Sequence, residues 1–250
     1  MRPLILLLFI SLSCLYLPAQ DINAQIRIAD HLESIPDEMA AFTKFKDVLS
    51  INPVNIYALT KCSELCIRIG KRQENEKLRE SFYEASRIYA STALKIDSLN
   101  SDASCDMAMA LGRSTMNKSS REKINNVKEI KKYVDISLQS NPNNFKAWHV
   151  LGRWHYELSS LNIFERAALK LFFGGLPESS MKMSIVCFER SRSIQPGFIL
   201  NYFELAKAYR KNEETRKAIE ALKVMLTLPI QTEDDPGIKE AGKKLLKAWQ

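Results

Sequence analysis

The feature that most constrains this fold is a spacing of large and small residues that recurs along the chain. It is clearest at Trp148-x-x-Leu151-Gly152, where two large residues and a glycine fall on one face of a helix. A glycine at this position lets a second helix pack closely against the first. Ser184, Phe188 and Ser191 follow at helical spacing and would suit that second helix. The pattern predicts two helices packed as a hairpin.

The same frame fits four further stretches of the chain. It places large-x-x-large-small-x-x-large on a first helix and small-x-x-x-large-x-x-small on a second; in the first stretch, the opening position of the frame is not filled. The five sets are Ile28, Ala29, Leu32, Ala41, Phe45 and Val48; Leu59, Cys62, Ser63, Cys66, Ser86, Ala90 and Ala93; Ser104, Met107, Ala108, Leu111, Ile130, Val134 and Ser137; Trp148, Leu151, Gly152, His155, Ser184, Phe188 and Ser191; and Tyr202, Leu205, Ala206, Tyr209, Ala218, Leu222 and Met225.

Repeated helical hairpins of this kind are typical of tetratricopeptide arrays. With 46% hydrophobic residues, 8 glycines and 9 prolines, the composition also favours an all-α chain. We therefore predict an all-α, tetratricopeptide-like solenoid within residues 20–250. Asp235-Pro236 is a helix-start signal, and the helix that follows would cap the last hairpin. The predicted hairpins lie at about residues 22–55, 56–100, 101–144, 145–198 and 199–232, with the C-terminal capping helix at about 235–249.

The first 19 residues differ in composition from the rest. Arg2 precedes an apolar run over residues 4–17, and Leu17-Pro18-Ala19 ends it. This order is typical of a secretory signal peptide, here with cleavage after Ala19. An uncleaved anchor is the main alternative, but the run is shorter than the roughly 20 residues that a membrane helix needs; lipidation at Cys14 lacks the aliphatic residue expected three positions earlier. We therefore expect export, with a periplasmic or secreted mature protein.

Charge and cysteine content exclude several other classes. The formal net charge of +7 is modest, and the basic residues alternate with glutamates at helical spacing, which favours solvated helix faces over a nucleic-acid surface. We therefore expect no nucleic-acid partner. Outside the first 19 residues lie Cys62, Cys66, Cys105 and Cys187, which are spaced like no zinc site. Cys62 and Cys66 are one helical turn apart at core positions, so we expect these two to be buried thiols.

A more specific similarity covers residues 146–236. It rests on His149-x-Leu151-Gly152-Arg153-Trp154, Phe164-Glu165-Arg166, Phe172-Phe173-Gly174-Gly175-Leu176-Pro177, Gln195-Pro196-Gly197-Phe198, and Leu228-Pro229 followed by Thr232-Glu233-Asp234-Asp235. In these motifs the chain resembles the regulator of microtubule dynamics family of tetratricopeptide-like proteins. The resemblance implies a non-enzymatic helical-repeat domain that binds a partner, and the family's links to membranes and phospholipid imply that an apolar ligand is also possible. Because we expect export, we do not expect microtubules as the partner.

In tetratricopeptide arrays the first helices of successive hairpins line a concave groove. Projecting the frame onto that groove predicts a basic stripe that binds an acidic peptide, a C-terminus or a phosphate head group through bidentate arginine contacts. The alternative, which the sequence leaves equally open, is that Glu64, Glu157 and Asp30 neutralise the stripe internally. The predicted groove residues are Arg68, Arg113, His149, Arg153, Tyr156, Lys207 and Arg210.

A Phe-rich insertion at residues 161–173 interrupts the fourth hairpin. Its apolar residues fall on one helical face, which is typical of a segment that packs on its own fold. The alternative is a lid over the groove, or a docking face for a lipid or a second subunit. The residues that would form this lid are Phe164, Leu171, Phe172 and Phe173.

Motifs that carry chemistry are absent from the sequence. His149 and His155 are six positions apart and fall on different sides of a helix, and no H-E-x-x-H or C-x-x-C spacing occurs. The sequence also lacks a phosphate-binding glycine loop and a G-x-S-x-G elbow. We therefore predict no metal, no cofactor and no catalysis, but a scaffold that binds a protein or peptide partner; the alternative is a carrier of phospholipid or another apolar ligand.

Overall fold

A computed structural model describes residues 17–113, 120–162 and 178–250, together with residues 165, 167, 170 and 171. The described residues form helices and connecting turns without any strand, which confirms the predicted all-α class. The helices are α1 (Leu17–Ser34), α2 (Glu38–Ile51), α3 (Ile56–Lys71), α4 (Glu76–Ile96), α5 (Ser101–Arg113), α6 (Ser120–Ser140), α7 (Phe145–Ser159), α8 (Met181–Ile194), α9 (Ile199–Lys211), α10 (Thr215–Thr227) and α11 (Asp235–Trp249).

Short polar side chains fix where several of these helices begin. The Asn55 side chain accepts a hydrogen bond of 2.9 Å from the backbone N–H of Ala58 in the first turn of α3. Asn144 does the same for Ala147 at the start of α7, at 3.1 Å. Asparagine is favoured at this position because its side chain satisfies a backbone donor that the helix leaves free. The second and fourth hairpins therefore begin at boundaries that the sequence encodes.

The helices pack in antiparallel pairs: α1 with α2, α3 with α4, α5 with α6, α7 with α8 and α9 with α10. Small residues hold the two helices of a pair together. The Ser63 hydroxyl donates a 2.9 Å hydrogen bond to the carbonyl oxygen of Ser86. The Ser191 hydroxyl donates a 2.8 Å hydrogen bond to the carbonyl oxygen of Phe145. Hydroxyls at the small positions thus satisfy buried groups at close helix contacts.

The fourth hairpin has the close contact that its glycine predicted. The Ser184 hydroxyl on α8 donates a hydrogen bond of 2.8 Å to the carbonyl oxygen of Gly152 on α7. A β-carbon on Gly152 would lie 2.7 Å from the ring of Phe188, which is fully buried. The glycine is therefore required by packing.

The last helix covers the fifth hairpin. Ile238, Leu245 and Trp249 of α11 pack on the cluster formed by Tyr202 and Leu222 of α9 and α10. This burial gives the terminal hairpin the apolar partner that a following repeat would otherwise supply.

The two ends of the superhelix meet, which the sequence analysis did not predict. Residues 231–235, which we call the closing segment, connect α10 to α11 and lie against α2 and α3. The backbone N–H of Glu38 donates a 2.8 Å bond to the Glu233 carboxylate, and Arg72 lies 2.7 Å from Glu38 and 3.1 Å from Glu233. Lys71 adds an ion pair of 3.1 Å with Asp234. The closing segment therefore borders one side of the predicted concave groove.

Two predicted features fall wholly or partly beyond the described residues. Ala19, the predicted cleavage point, lies within α1, whereas the apolar run is largely contained in residues 1–16, outside the description. Of the predicted lid, Phe164, Phe172 and Phe173 also lie outside it, and Leu171 is 78% exposed. Among the described helices, none combines the length and apolarity that crossing a membrane requires.

Candidate functional site

The candidate site is the open cavity of about 660 Å³ that lies between the concave face and the closing segment. Its volume falls within the roughly 300–1,000 Å³ of sites that bind small ligands or short segments. Helices α3, α5 and α7 supply much of its wall. Apolar side chains that line it include Ile67, Met109, Ile130, Val150, Leu158 and Phe198.

Four of the seven predicted groove residues line this cavity: Arg68, Arg113, His149 and Arg153. The other three do not. The Lys207 ammonium lies over the Tyr156 ring, 5.5 Å from its centre. Arg210 donates a 2.9 Å bond to the Thr215 hydroxyl.

Arg68 is surrounded by carboxylates. It forms ion pairs with Glu33, with Glu38 at 3.4 Å and with Glu64 at 3.9 Å. Burial opposes its charge, but Glu64, Glu38 and Glu33 outweigh that effect and raise the pKa of Arg68. This guanidinium is therefore neutralised within the protein.

A partly buried ion pair between Glu64 and Lys146 lies beside Arg68. Burial alone would raise the pKa of Glu64, but Lys146 and Arg68 outweigh it and lower that pKa well below its usual range. Asp106 behaves differently, because burial and the nearby Glu64 charge raise its pKa well above the usual value. The pair is thus ionised, whereas burial favours the neutral form of Asp106.

On α7, Arg153 is also paired. It lies 2.9 Å from Glu157 and 2.9 Å from the buried Glu204, which also pairs with Lys207 at 3.0 Å. Of the three carboxylates named in the sequence analysis, Glu64 and Glu157 do act as internal partners, but Asp30 instead accepts a hydrogen bond from Tyr57. Carboxylates of the chain therefore neutralise most of the positive charge of the predicted stripe.

Three of these carboxylates were missed by sequence reasoning: Glu33, Glu38 and Glu204. Each reaches its arginine from another helix, at a sequence separation of 35, 30 or 51 residues. Helical periodicity relates residues within one helix, so it gave no signal for these partners. An alternation of acidic and basic residues between neighbouring hairpins would have been the available clue.

Arg113, at the end of α5, differs from the other cations. Within the described part of the chain, no ion pair or hydrogen bond engages its guanidinium. Burial, and then the positive charge of Arg153, lower the pKa of Arg113. It is half-buried and lines the cavity, and no described carboxylate forms an ion pair with it.

His149 lines the cavity as a neutral ring. Its Nδ1 lies 3.0 Å from the Asn201 side-chain oxygen, and its ring packs against Phe188 and Phe198. Burial lowers the pKa of His149 to about 4, only partly offset by the bond to Asn201. It contributes shape and a hydrogen bond to the wall, without positive charge near pH 7.

Cys62 and Cys66 are buried free thiols, which confirms that prediction, and Cys105 and Cys187 are buried free thiols as well. Burial raises the pKa of Cys66 and of Cys187 to about 12, so both are protonated and unreactive near neutral pH. Among the residues with described positions, no three His, Cys, Asp or Glu side chains are grouped so as to hold a metal ion.

The stacked hairpins define a tetratricopeptide-type helical-repeat protein. A solved tetratricopeptide-repeat protein of Thermus thermophilus shares this fold, with a TM-score of 0.64 at 13% identity, covering 90% of this chain and 99% of that one. The family model for regulator of microtubule dynamics protein 1-3 matches residues 25–250. The chain therefore belongs to this family, as the sequence motifs predicted.

Two curated relatives illustrate how much is shared. Regulator of microtubule dynamics protein 2 of Rattus norvegicus is 31% identical over 127 residues, which are 50% of this chain and 31% of that protein. Regulator of microtubule dynamics protein 1 of Caenorhabditis elegans is 24% identical over 189 residues, covering 76% of this chain and 83% of that protein. The chain thus matches about a third of the rat relative and most of the nematode one.

The expected export, with cleavage near Ala19 and a periplasmic or secreted product, is wrong. The family and its curated relatives are named as regulators of microtubule dynamics, and microtubules lie inside cells. An apolar N-terminal run is a compositional signal that proteins with other destinations also carry. The reason for excluding microtubules as a partner is lost with it.

Proposed function

We propose that this protein is a non-enzymatic scaffold that binds a short segment of a protein partner in its concave cavity. Tetratricopeptide-like folds are typical of protein-binding scaffolds, and the observation that carries the proposal is the cavity itself. Its volume of about 660 Å³ suits a few extended residues rather than a folded domain.

The lining supports a peptide because it combines apolar and polar groups. Extended backbone carries N–H and C=O groups that must find partners when water is removed. Gln195, Gln231 and Thr232 line the cavity with amide and hydroxyl groups, next to apolar residues such as Met109 and Phe198. A bound segment would find both side-chain contacts and hydrogen bonds.

Site-specific photocrosslinking tests this function. A benzoylphenylalanine at Met109, which lines the cavity, should yield a discrete protein adduct in extracts of the native host. The matched control is the same residue at Met183, which is 46% exposed on α8, where we expect no discrete adduct. Identical adducts from both positions, or none from Met109, would contradict groove binding.

A second candidate is a carrier of phospholipid or another apolar ligand, which the apolar part of the cavity wall favours. Native mass spectrometry of the purified protein separates the two. A carrier should retain a lipid that organic solvent extracts, whereas a scaffold should appear at its own mass.

The relatives are named for microtubule dynamics, so tubulin is the first partner to test. We expect a scaffold for microtubules to co-sediment with polymerised tubulin in a saturable manner. Failure to sediment would direct the search to other partners recovered by the crosslinking experiment.

A further inference from the structure

We propose that Arg113 is the anion receptor of the cavity and that it binds a carboxylate of the bound peptide segment. This inference rests on the proposed function, and it names the chemical class of ligand that the cavity would select. It assigns a recognition role to one residue of the predicted stripe and removes that role from its neighbours.

The first argument is the state of the other cations. Six cationic side chains line the cavity, and five of them form an ion pair with a carboxylate of this chain. Among the described residues, Arg113 alone of the six has no ion pair. The five paired cations are Lys61, Arg68, Lys71, Lys146 and Arg153.

The second argument is the charge balance of the wall. Among the described residues that line the cavity, five carboxylates stand against six cations, which leaves one positive charge without a negative one. Behind the wall, Glu204 is already shared by Arg153 and Lys207. Asp106 does not compensate either, because its buried carboxyl favours the neutral form. A monovalent anion in the cavity would complete the balance.

The third argument is the geometry of a guanidinium. Its N–H donors form a planar fork that matches the two oxygens of a carboxylate. Arg113 is the last residue of α5, where the helix dipole stabilises a positive charge. That dipole explains why a cation is tolerated there, but among the described residues it supplies no hydrogen-bond acceptor for the guanidinium of Arg113.

The two nearby carboxylates that act on the pKa of Arg113 do not replace such a partner. Asp234 and Glu204 influence its pKa, yet neither forms an ion pair with it. Both are held by other cations: Asp234 by Lys71 at 3.1 Å, and Glu204 by Arg153 at 2.9 Å. A ligand carboxylate would therefore not have to displace an internal one.

Affinity selection from peptide libraries tests this inference on the full chain. Two random hexapeptide libraries are used, one with free C-terminal carboxylates and one with C-terminal amides, and retained peptides are sequenced by mass spectrometry. We expect the wild-type protein to retain free-acid peptides, and from the amide library only peptides that contain Asp or Glu. Arg113→Gln should weaken the binding of both kinds of peptide by about ten- to a hundredfold, because a charge-assisted pair is lost.

The control variant is Arg192→Gln, which changes an arginine on α8 that pairs with Glu189 and does not line the cavity. It should leave retention unchanged. A second measurement tests for a merely structural role: the melting temperature of Arg113→Gln should equal or exceed that of the wild type, because an uncompensated charge is removed. A marked fall in melting temperature would overturn the inference.

The failures can be told apart. If the wild type retains peptides regardless of their acidity, or Arg113→Gln retains them equally, the carboxylate receptor is wrong while peptide binding stands. If the wild type retains no peptide from either library, the inference falls together with the function on which it rests.

Discussion

Gly152 sets the distance between α7 and α8. The ring of Phe188 occupies the space that a side chain at position 152 would need, and it is fully buried and has no room to move away. We expect Gly152→Ala to destabilise the protein by about 1–2 kcal/mol, because the cost of overpacking exceeds the gain in helix propensity. Urea unfolding followed by circular dichroism measures this free energy.

The matched control is Gly237→Ala, in the first turn of α11. A β-carbon there would meet no atom within 4 Å. This variant should be neutral or slightly more stable, since only the propensity gain remains. Equal losses of stability in both variants would show that helix geometry, rather than the Phe188 contact, controls the result.

A second property of single residues is the dependence of stability on pH. The pKa of His149 is lowered from 6.5 to about 4 in the folded chain by burial. As pH falls below 6.5, the unfolded chain takes up a proton that the folded chain does not bind until about pH 4. Stability is therefore complete above pH 6.5 and declines by about 3 kcal/mol as pH falls to 4.

Replacing this ring tests that linkage. In His149→Gln the slope of unfolding free energy against pH between 6.5 and 4 should become shallower, while a smaller slope from His155 remains, since burial lowers that pKa too. An unchanged slope would mean that other groups cause the acid sensitivity.

At the scale of elements, the frame of large and small residues predicted the fold and its hairpins' buried positions well. Ala90, Val134, Phe188 and Leu222 are buried at the second-helix positions. Burial on a packed helix face repeats every three to four residues, so it leaves a periodic mark on the sequence. The frame was less informative at the first hairpin, where Ile28 is 46% exposed.

The candidate site was only half predicted, and the reason is geometric. The frame placed Arg68, Arg113 and Arg153 on one concave surface, and they do line one cavity. It could not give their partners, because these depend on which helices of different hairpins face each other. The coiling of the superhelix decides that, through small rotations between successive hairpins.

The capping helix should behave as a local element. Leu245 of α11 packs on the cluster of Tyr202, Leu222 and Met225. Leu245→Ala should cost about 1–2 kcal/mol, below the 2–5 kcal/mol of fully buried leucines because it is only partly buried. Hydrogen exchange should become faster in α9, α10 and α11, while α4 and α6 stay protected, since each hairpin contacts mainly its neighbours.

The control for the capping helix is Leu99→Ala, at a residue that is 65% exposed between α4 and α5. It should leave exchange unchanged throughout the chain. Faster exchange in α4 after Leu245→Ala would show that the described helices unfold as one unit rather than hairpin by hairpin.

At the scale of the whole molecule, the closing segment changes the energetics of the array. An open solenoid has two free ends, and each hairpin contacts only the next. Here Glu233 and Asp234 join the segment before α11 to the end of α3 through Lys71 and Arg72. The contact borders one side of the cavity.

Arg72 is the residue on which this closure depends. The Arg72 guanidinium lies 2.7 Å from the buried Glu38 and also pairs with Glu233 and Asp234. Arg72→Glu would replace it with a carboxylate that these three carboxylates repel. We expect the ends to separate, with a loss of about 2–3 kcal/mol, less than for a fully buried pair because Arg68 still faces Glu38. Small-angle scattering should report a larger radius of gyration, and carbodiimide crosslinking of Lys71 to Asp234, which are 3.1 Å apart in the closed form, should be lost. The control is Arg192→Glu on α8, which should change neither the radius of gyration nor the crosslink. A crosslink that persists in Arg72→Glu would show that apolar packing, not charge, holds the closing segment in place.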